Sequence, residues 1–173
     1  MLAQALDITG NLKEKALKIK LLLTDCDGVL TDGGVYYSQR GEEMKLFSLR
    51  DGMGVERLRR ETDIKIGIIT GENSAATAQR AAKLGIDELH QHTSDKLSVC
   101  EMIMQRRSLL LEQIAYIGDD YNDLELLQNV GLSASPADAL PGIIKEVDYV
   151  CSNAGGHGAF REFVELIISL IRD

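Results

Sequence analysis

The stretch Leu21-Leu22-Leu23-Thr24-Asp25-Cys26-Asp27-Gly28-Val29-Leu30-Thr31-Asp32-Gly33 decides how the rest of the chain is read. An aliphatic run of this kind suits a strand buried on both faces, and it stops abruptly at two carboxylates one residue apart. Burying Asp25 and Asp27 is unfavourable unless something compensates their charge. Open α/β sheets bind ligands at the carboxyl ends of their strands, where a metal ion is a typical compensating group. Gly28 and Gly33 then let the chain turn sharply away.

Working outward, residues 3–17 carry Leu6, Leu12, Ala16 and Leu17 among lysines, the pattern of an amphipathic leading helix. After the first strand (about Ile19–Thr24), two β-rich segments, 34–38 and 43–48, flank the polar turn Gln39-Arg40-Gly41-Glu42 and predict a hairpin projecting over the carboxylates. Helices and strands then alternate. A helix over Asp51–Glu61 has Met53, Val55 and Leu58 as its apolar members. A strand over Ile64–Ile69 ends in Thr70-Gly71, and Asn73 or Ser74 caps the helix that runs to Leu84. A short strand near Asp87–His90 precedes a helix from about Asp95 to Leu109, and a strand at Ile114–Ile117 ends in Gly118-Asp119-Asp120. A helix to about Gln128, a strand at Gly131–Ala134, a helix starting near Asp138, a strand at Asp148–Cys151 and a closing helix over Ala159–Ile171 complete the chain. Alternation of this kind implies right-handed βαβ crossovers and a doubly wound parallel α/β sheet. The chain is expected to be one domain over residues 1–173, with a hairpin flap and no large cap domain.

The totals exclude several classes. A net charge of −8 argues against nucleic acid or an anionic membrane as partner. An anionic substrate would need a local positive site. No apolar run is long enough to span a membrane, and no signal-peptide pattern opens the chain, which makes the cytoplasm the default compartment. Cys26, Cys100 and Cys151 have neither disulfide-framework nor zinc spacing and read as small buried hydrophobes.

Three strand ends gather polar residues, Asp25/Asp27, Thr70/Gly71 and Asp119/Asp120, and Lys96 opens a helix after a fourth strand. Taken singly, each has an ordinary explanation as a turn former, a helix cap or a solvated lysine. Their joint order is more specific. Asp25-Cys26-Asp27-Gly28-Val29, Thr70-Gly71, Lys96 and Gly118-Asp119-Asp120 resemble the four motifs of the haloacid dehalogenase superfamily. The hairpin, Asp51-Gly52-Met53-Gly54 and the ending Gly155-Gly156-His157-Gly158-Ala159-Phe160-Arg161-Glu162 look like its small capless phosphatases. Those act on 3-deoxy-D-manno-octulosonate 8-phosphate and on related nonulosonate 9-phosphates. They are homotetramers whose hairpins and C-terminal ends complete a neighbour's active site.

The resemblance implies a magnesium-dependent phosphatase of a 2-keto-3-deoxy sugar-acid phosphate. In it Asp25 is the nucleophile that becomes an aspartyl-phosphate, and Asp27 is general acid and then general base. Asp25, the backbone carbonyl of Asp27, and Asp119 hold Mg2+. Thr70 and Gly71 donate to the phosphoryl oxygens, and Lys96 supplies the positive charge that the acidic composition demanded. Asp123 is a supporting residue that orients Lys96 or a metal-bound water, or else it and Asp120 are first-turn helix carboxylates. Substrate recognition is expected from Glu72, Lys83, His157 and Arg161. The octulosonate enzymes commonly carry Arg where this chain has Glu72 and His157, and Glu72 with Lys83 on the same helix looks closer to the nonulosonate group. Arg161 either reaches a sugar-acid carboxylate or lies on a solvated helix face.

Other features read as structural. His90 and His92 share a strand face but lack a third soft ligand, which favours a surface or interface edge. Arg57, Arg59, Arg60, Arg106 and Arg107 read as solvated helix faces. Tyr36, Tyr37 and Phe47 suit subunit packing or a substrate flap. Two other classes fit the residues less well. A two-component receiver domain has no hairpin after its first strand. A non-catalytic oligomerisation module of the same fold would not need Asp25, Asp27, Lys96 and Asp119 intact.

Overall fold

The computed structural model describes residues 11–172, so most of the expected leading helix lies outside the described residues. Residues 11–16 are helical, and Ala16 is fully buried in the core. Eight strands follow: β1 (Leu21–Thr24), β2 (Val35–Ser38), β3 (Gly41–Lys45), β4 (Lys65–Ile69), β5 (Glu88–His90), β6 (Ile114–Ile117), β7 (Leu132–Ser135) and β8 (Tyr149–Val150). The helices are α1 (Leu49–Glu61), α2 (Ala75–Lys83), α3 (Lys96–Arg107), α4 (Leu124–Asn129), α5 (Pro141–Ile144) and α6 (Ala159–Arg172). Six strands form one parallel sheet in the order β5-β4-β1-β6-β7-β8, and β2 and β3 form a separate antiparallel hairpin. The α/β doubly wound reading therefore holds, hairpin included.

Side-chain alternation along β1 divides the core. Leu22 packs with Val55 and Leu58 of α1, Ala81 of α2, and Phe163, Val164 and Ile167 of α6. Leu21 and Leu23 face the opposite layer, with Cys100 and Ile103 of α3, Leu126 and Leu127 of α4, and Ile143 of α5. A strand with aliphatic side chains on both faces is thus buried between two helical layers. The chain runs from β1 to β4 on one side, then returns to β6 on the other. The carboxyl ends of β1, β4 and β6 consequently converge where the strand order reverses, the place where such sheets open a crevice.

Several local details differ from expectation. Ser48 caps α1 by accepting from the backbone N–H groups of Arg50 and Asp51, so that helix begins at Leu49 rather than Asp51, and Met53 faces outward. Ser74, not Asn73, caps α2. Asp138 starts no helix. Its carboxylate accepts from the Gly155 N–H at 2.9 Å, and only a single turn follows at Pro141, where proline fits the first helical position. Arg106 and Arg107 are exposed as expected, but both also donate to the buried Glu88, which His90 contacts at 2.6 Å. A carboxylate sunk in an edge strand needs such partners, and they hold its pKa down at about 2 despite the cost of burial.

The glycine-rich segment before α6 buttresses the loop that leaves β1. Gly156 donates its N–H to the Val29 carbonyl at 2.8 Å, and a Cβ on Gly155 would lie 1.9 Å from the Gly28 carbonyl oxygen. Backbone against backbone leaves no room for any side chain. Gly155→Ala should displace the Gly28 loop, lower stability by about 1–3 kcal/mol in denaturant melts and reduce activity disproportionately. A stable and fully active Gly155→Ala protein would contradict that packing.

Candidate active site

Asp25 begins where the β1 ladder ends. Its N–H donates to the Ile117 carbonyl at 3.0 Å, which ties it to β6. One carboxylate oxygen accepts from the Cys26 N–H at 2.7 Å, and the other lies 3.1 Å from the Lys96 ammonium. Lys96 is the first residue of α3, capped by Asp95, and its side chain is almost fully buried. The same ammonium donates to Asp123 at 2.5 Å.

Asp123, fully buried, has every acceptor position in use. Lys96 and the Tyr116 hydroxyl donate to its Oδ1, each at 2.5 Å, and the N–H groups of Asp119 and Asp120 donate to its Oδ2 at 2.9 and 3.2 Å. Asp123 therefore holds Lys96 in place and shapes the 118–120 turn. Asp25, Asp119 and Asp123 bring carboxylate oxygens within 4.8 Å of one another. With Asp123 saturated, the free acceptor is Asp119, whose Oδ1 is buried and without a hydrogen-bond partner. An orphaned buried carboxylate oxygen beside a second carboxylate suits a hard divalent cation. Gly28 can carry no side chain, because a Cβ there would sit 2.0 Å from Asp119 Oδ2, and its φ of +86° suits glycine. That glycine lets Asp119 approach the β1 loop.

Asp27 is oriented by a different group. The Lys45 ammonium, at the end of β3, donates to both of its carboxylate oxygens at 2.8 and 2.7 Å, and the Thr31 hydroxyl contributes at 3.3 Å. Lys45 was not singled out in the sequence. Its one signal is placement, as a lysine in the second half of a hairpin that must cross the carboxylates. Asp27 and Glu42 hold the Lys45 pKa above its usual value even though burial opposes this. Tyr116, an aromatic within an otherwise aliphatic strand, was likewise missed.

A cavity of about 190 Å³ is lined by Asp25, Asp27, Thr70, Gly71, Glu72, Asp119, Asp120 and Asn122. Larger cavities, of about 590 and 560 Å³, lie around Ile64 and Lys65 at the amino ends of the strands, away from this cluster. The structure thus gathers Asp25, Asp27, Thr70, Gly71, Lys96, Asp119, Asp120 and Asp123, with Glu72 at the rim. Three expected specificity residues are elsewhere. Glu72 precedes α2 instead of sharing it with Lys83, and Lys83 is its last residue, roughly 13 Å of helix away from the cavity end. A helix returning from a parallel strand carries its C-terminus away from the crevice. His157 is exposed with Nδ1 against the Gly155 carbonyl, and the Arg161 guanidinium pairs with Glu165 at 2.5 Å.

Burial, reinforced by Asp123 and only partly offset by Lys96, pushes the Asp25 carboxyl up to about 8. The same two causes raise Asp119 to about 7. Without a cation, each folded carboxyl holds its proton to higher pH than in the unfolded chain, so stability falls as pH rises from about 4 towards 8. A divalent cation must displace those protons, so its affinity should strengthen over the same climb. Melting temperatures with and without Mg2+ at about pH 6 and about pH 9 should show the larger cation-induced rise at the higher pH, with proton release in calorimetry. A pH-independent rise would contradict this assignment.

The chain resembles known proteins over nearly its full length. A family model for haloacid dehalogenase-like hydrolases matches residues 45–162. The 3-deoxy-D-manno-octulosonate 8-phosphate phosphatase KdsC of Escherichia coli (strain B / BL21-DE3) is 41% identical over 161 residues, covering 93% of this chain and 85% of the relative. The crystal structure of the phosphatase of that name from Yersinia pestis superposes with a TM-score of 0.90 at 40% identity, over 94% of this chain and 87% of the other. The Moraxella catarrhalis phosphatase, solved with magnesium, phosphate and KDO, gives a TM-score of 0.90 at 36% identity over 94% and 93%. With its carboxylates, threonine and lysine assembled at the switch point of a doubly wound sheet, the chain belongs to the haloacid dehalogenase-like hydrolases.

Proposed function

We propose that the protein is a magnesium-dependent phosphatase of 3-deoxy-D-manno-octulosonate 8-phosphate. The observation that carries this reading is the buried Asp25–Lys96–Asp123 arrangement beside the unpartnered Asp119 oxygen, in one small cavity with Thr70 and Gly71. Asp25 attacks phosphorus as the phosphorus–oxygen bond to the sugar breaks, and Asp27 delivers its proton to the departing alkoxide. In the second half Asp27 takes a proton from water. That water attacks phosphorus, the bond to Asp25 breaks, and inorganic phosphate leaves with Asp25 restored. Lys96 offsets charge on the phosphoryl group and on Asp25, while the Thr70 hydroxyl and the Gly71 N–H donate to phosphoryl oxygens. Asp25 and Asp119, with the Asp27 carbonyl, would hold Mg2+, which when bound neutralises charge on the transferring group.

A second substrate reading rests on Glu72. A carboxylate at the cavity rim beside Thr70 and Gly71, in place of a cation, favours hydroxyl-rich contacts and keeps nonulosonate 9-phosphates in play. A phosphate-release screen with both sugar-acid phosphates separates the two. Octulosonate 8-phosphate is expected to give the highest kcat/KM, and a nonulosonate phosphate winning would replace it.

The nucleophile is tested by Asp25→Asn. Loss of phosphate release by more than about a thousandfold is expected. The melting temperature should be unchanged or higher without cation, because the buried charge is gone. Near-full turnover would exclude Asp25 as nucleophile.

The hairpin and the start of α1 expose Tyr36, Tyr37, Met44, Leu46, Leu49 and Met53 together. Apolar exposure on that scale suits burial against other copies of the chain, and we read the assembly as a homotetramer working in the cytoplasm. Light scattering should report four copies, and Tyr37→Ser with Met44→Ser should dissociate them. A monomeric wild type would refute the assembly.

A further inference from the structure

Lys45 is on the hairpin, yet its side chain has no exposed surface, whereas Asp27, which it grips through both oxygens, keeps 22% of its side-chain surface open. While this pair is made, the ammonium has no face to offer a substrate. It can influence the reaction only through Asp27. We propose that Lys45 is a positioning residue, fixing from the hairpin the carboxyl that transfers the proton, an inference that rests on the phosphatase reading above.

The same hairpin is clipped to the phosphate-binding side of the cavity. Glu42, whose Oε2 is 3.6 Å from the Lys45 ammonium, accepts through Oε1 from the Ser74 hydroxyl. Ser74 caps α2 directly after the Thr70–Glu72 turn. Arg80 of α2 adds a bond to the Ser48 carbonyl at 2.8 Å and stacks over Phe47 at 5.7 Å. Hairpin seating and Asp27 orientation are therefore one arrangement, running from Ser74 through Glu42 and Lys45 to Asp27. An aspartate free to turn about two side-chain torsions would spend much of its time misdirected, and a bidentate ammonium removes that freedom. A chain without a cap domain gains from its flap the ordering that a closing lid supplies elsewhere.

The test is a double-mutant cycle on Lys45 and Asp27, followed by kcat and KM for octulosonate 8-phosphate and p-nitrophenyl phosphate. Nitrophenolate leaves with little protonation, so Asp27→Asn variants should still transfer the phosphoryl group to Asp25, read as a nitrophenolate burst, although hydrolysis is slowed. Lys45→Met alone should lower kcat for the sugar phosphate about 10- to 100-fold with KM little changed, and Lys45→Arg should recover part of the loss. In the Asp27→Asn background the same Lys45→Met change should alter the nitrophenolate burst rate by less than about threefold. Equal losses in both backgrounds, or no loss in the wild-type background, would overturn the proposal. An Asp27→Asn protein with undiminished sugar-phosphate turnover would instead refute the underlying proton-transfer role. Should Lys45→Met fail to fold, Lys45→Gln in the same two backgrounds gives the same comparison.

Discussion

A single ammonium, that of Lys96, makes the buried end of β1 tenable. Asp25 and Asp123 are both removed from water, and each touches Lys96. Removing Lys96 from this cluster would leave two buried carboxylates uncompensated, at a cost of about 3–5 kcal/mol in comparable systems. Replacing all of it with aliphatic side chains would cost the fold little. Stability is therefore a poor reason for the cluster to exist, and the chemistry proposed for it is a better one. Every neighbouring element contributes: Asp25 from β1, Tyr116 from β6, Lys96 from α3, and Asp123 at the entry to α4.

One positive charge does not balance the site. Asp25, Asp27, Asp119, Asp120 and Asp123 face Lys96 and Lys45, and burial together with the charge of Asp123 raises the pKa values of Asp25 and Asp119. A divalent cation would correct the imbalance at Asp119, whose buried Oδ1 has no hydrogen-bond partner, and a phosphate monoester would add negative charge back. Lys45 and Lys96 divide the remaining work. One steadies the carboxyl on the leaving-group side, the other the nucleophile and phosphoryl group. The hairpin thus brings half of the cationic complement from outside the main sheet.

Much of this was legible in the sequence because burial and charge conflict in few places. The aliphatic run ending at Asp25 and Asp27 indicated a two-sided strand, and Thr70 and Asp119 followed at strand ends, with Lys96 opening a helix, where a doubly wound sheet must converge. Lys45 was not legible, since its importance depends on where the hairpin folds back, a tertiary fact with no local pattern. Glu88 shows the same limit. Its partners Arg106 and Arg107 stand 18 and 19 residues away and look like an ordinary basic helix end. The position of Lys83 was illegible for a different reason. It was expected on the same helix as Glu72, but Ser74 starts that helix only after Glu72 and carries Lys83 to its far end. Asp138 failed because a carboxylate able to cap a helix can equally tie down a glycine loop.

The central claim, that the charge stored at the end of β1 is a nucleophile, is tested most directly by trapping the covalent intermediate. Asp27→Asn protein turning over a good-leaving-group phosphate should accumulate it, because attack by water loses its base. Rapid acid quenching followed by peptide mass spectrometry is then expected to find one phosphoryl group on Asp25. Steady phosphate release with no adduct on Asp25, or with the adduct on another residue, would contradict the assignment.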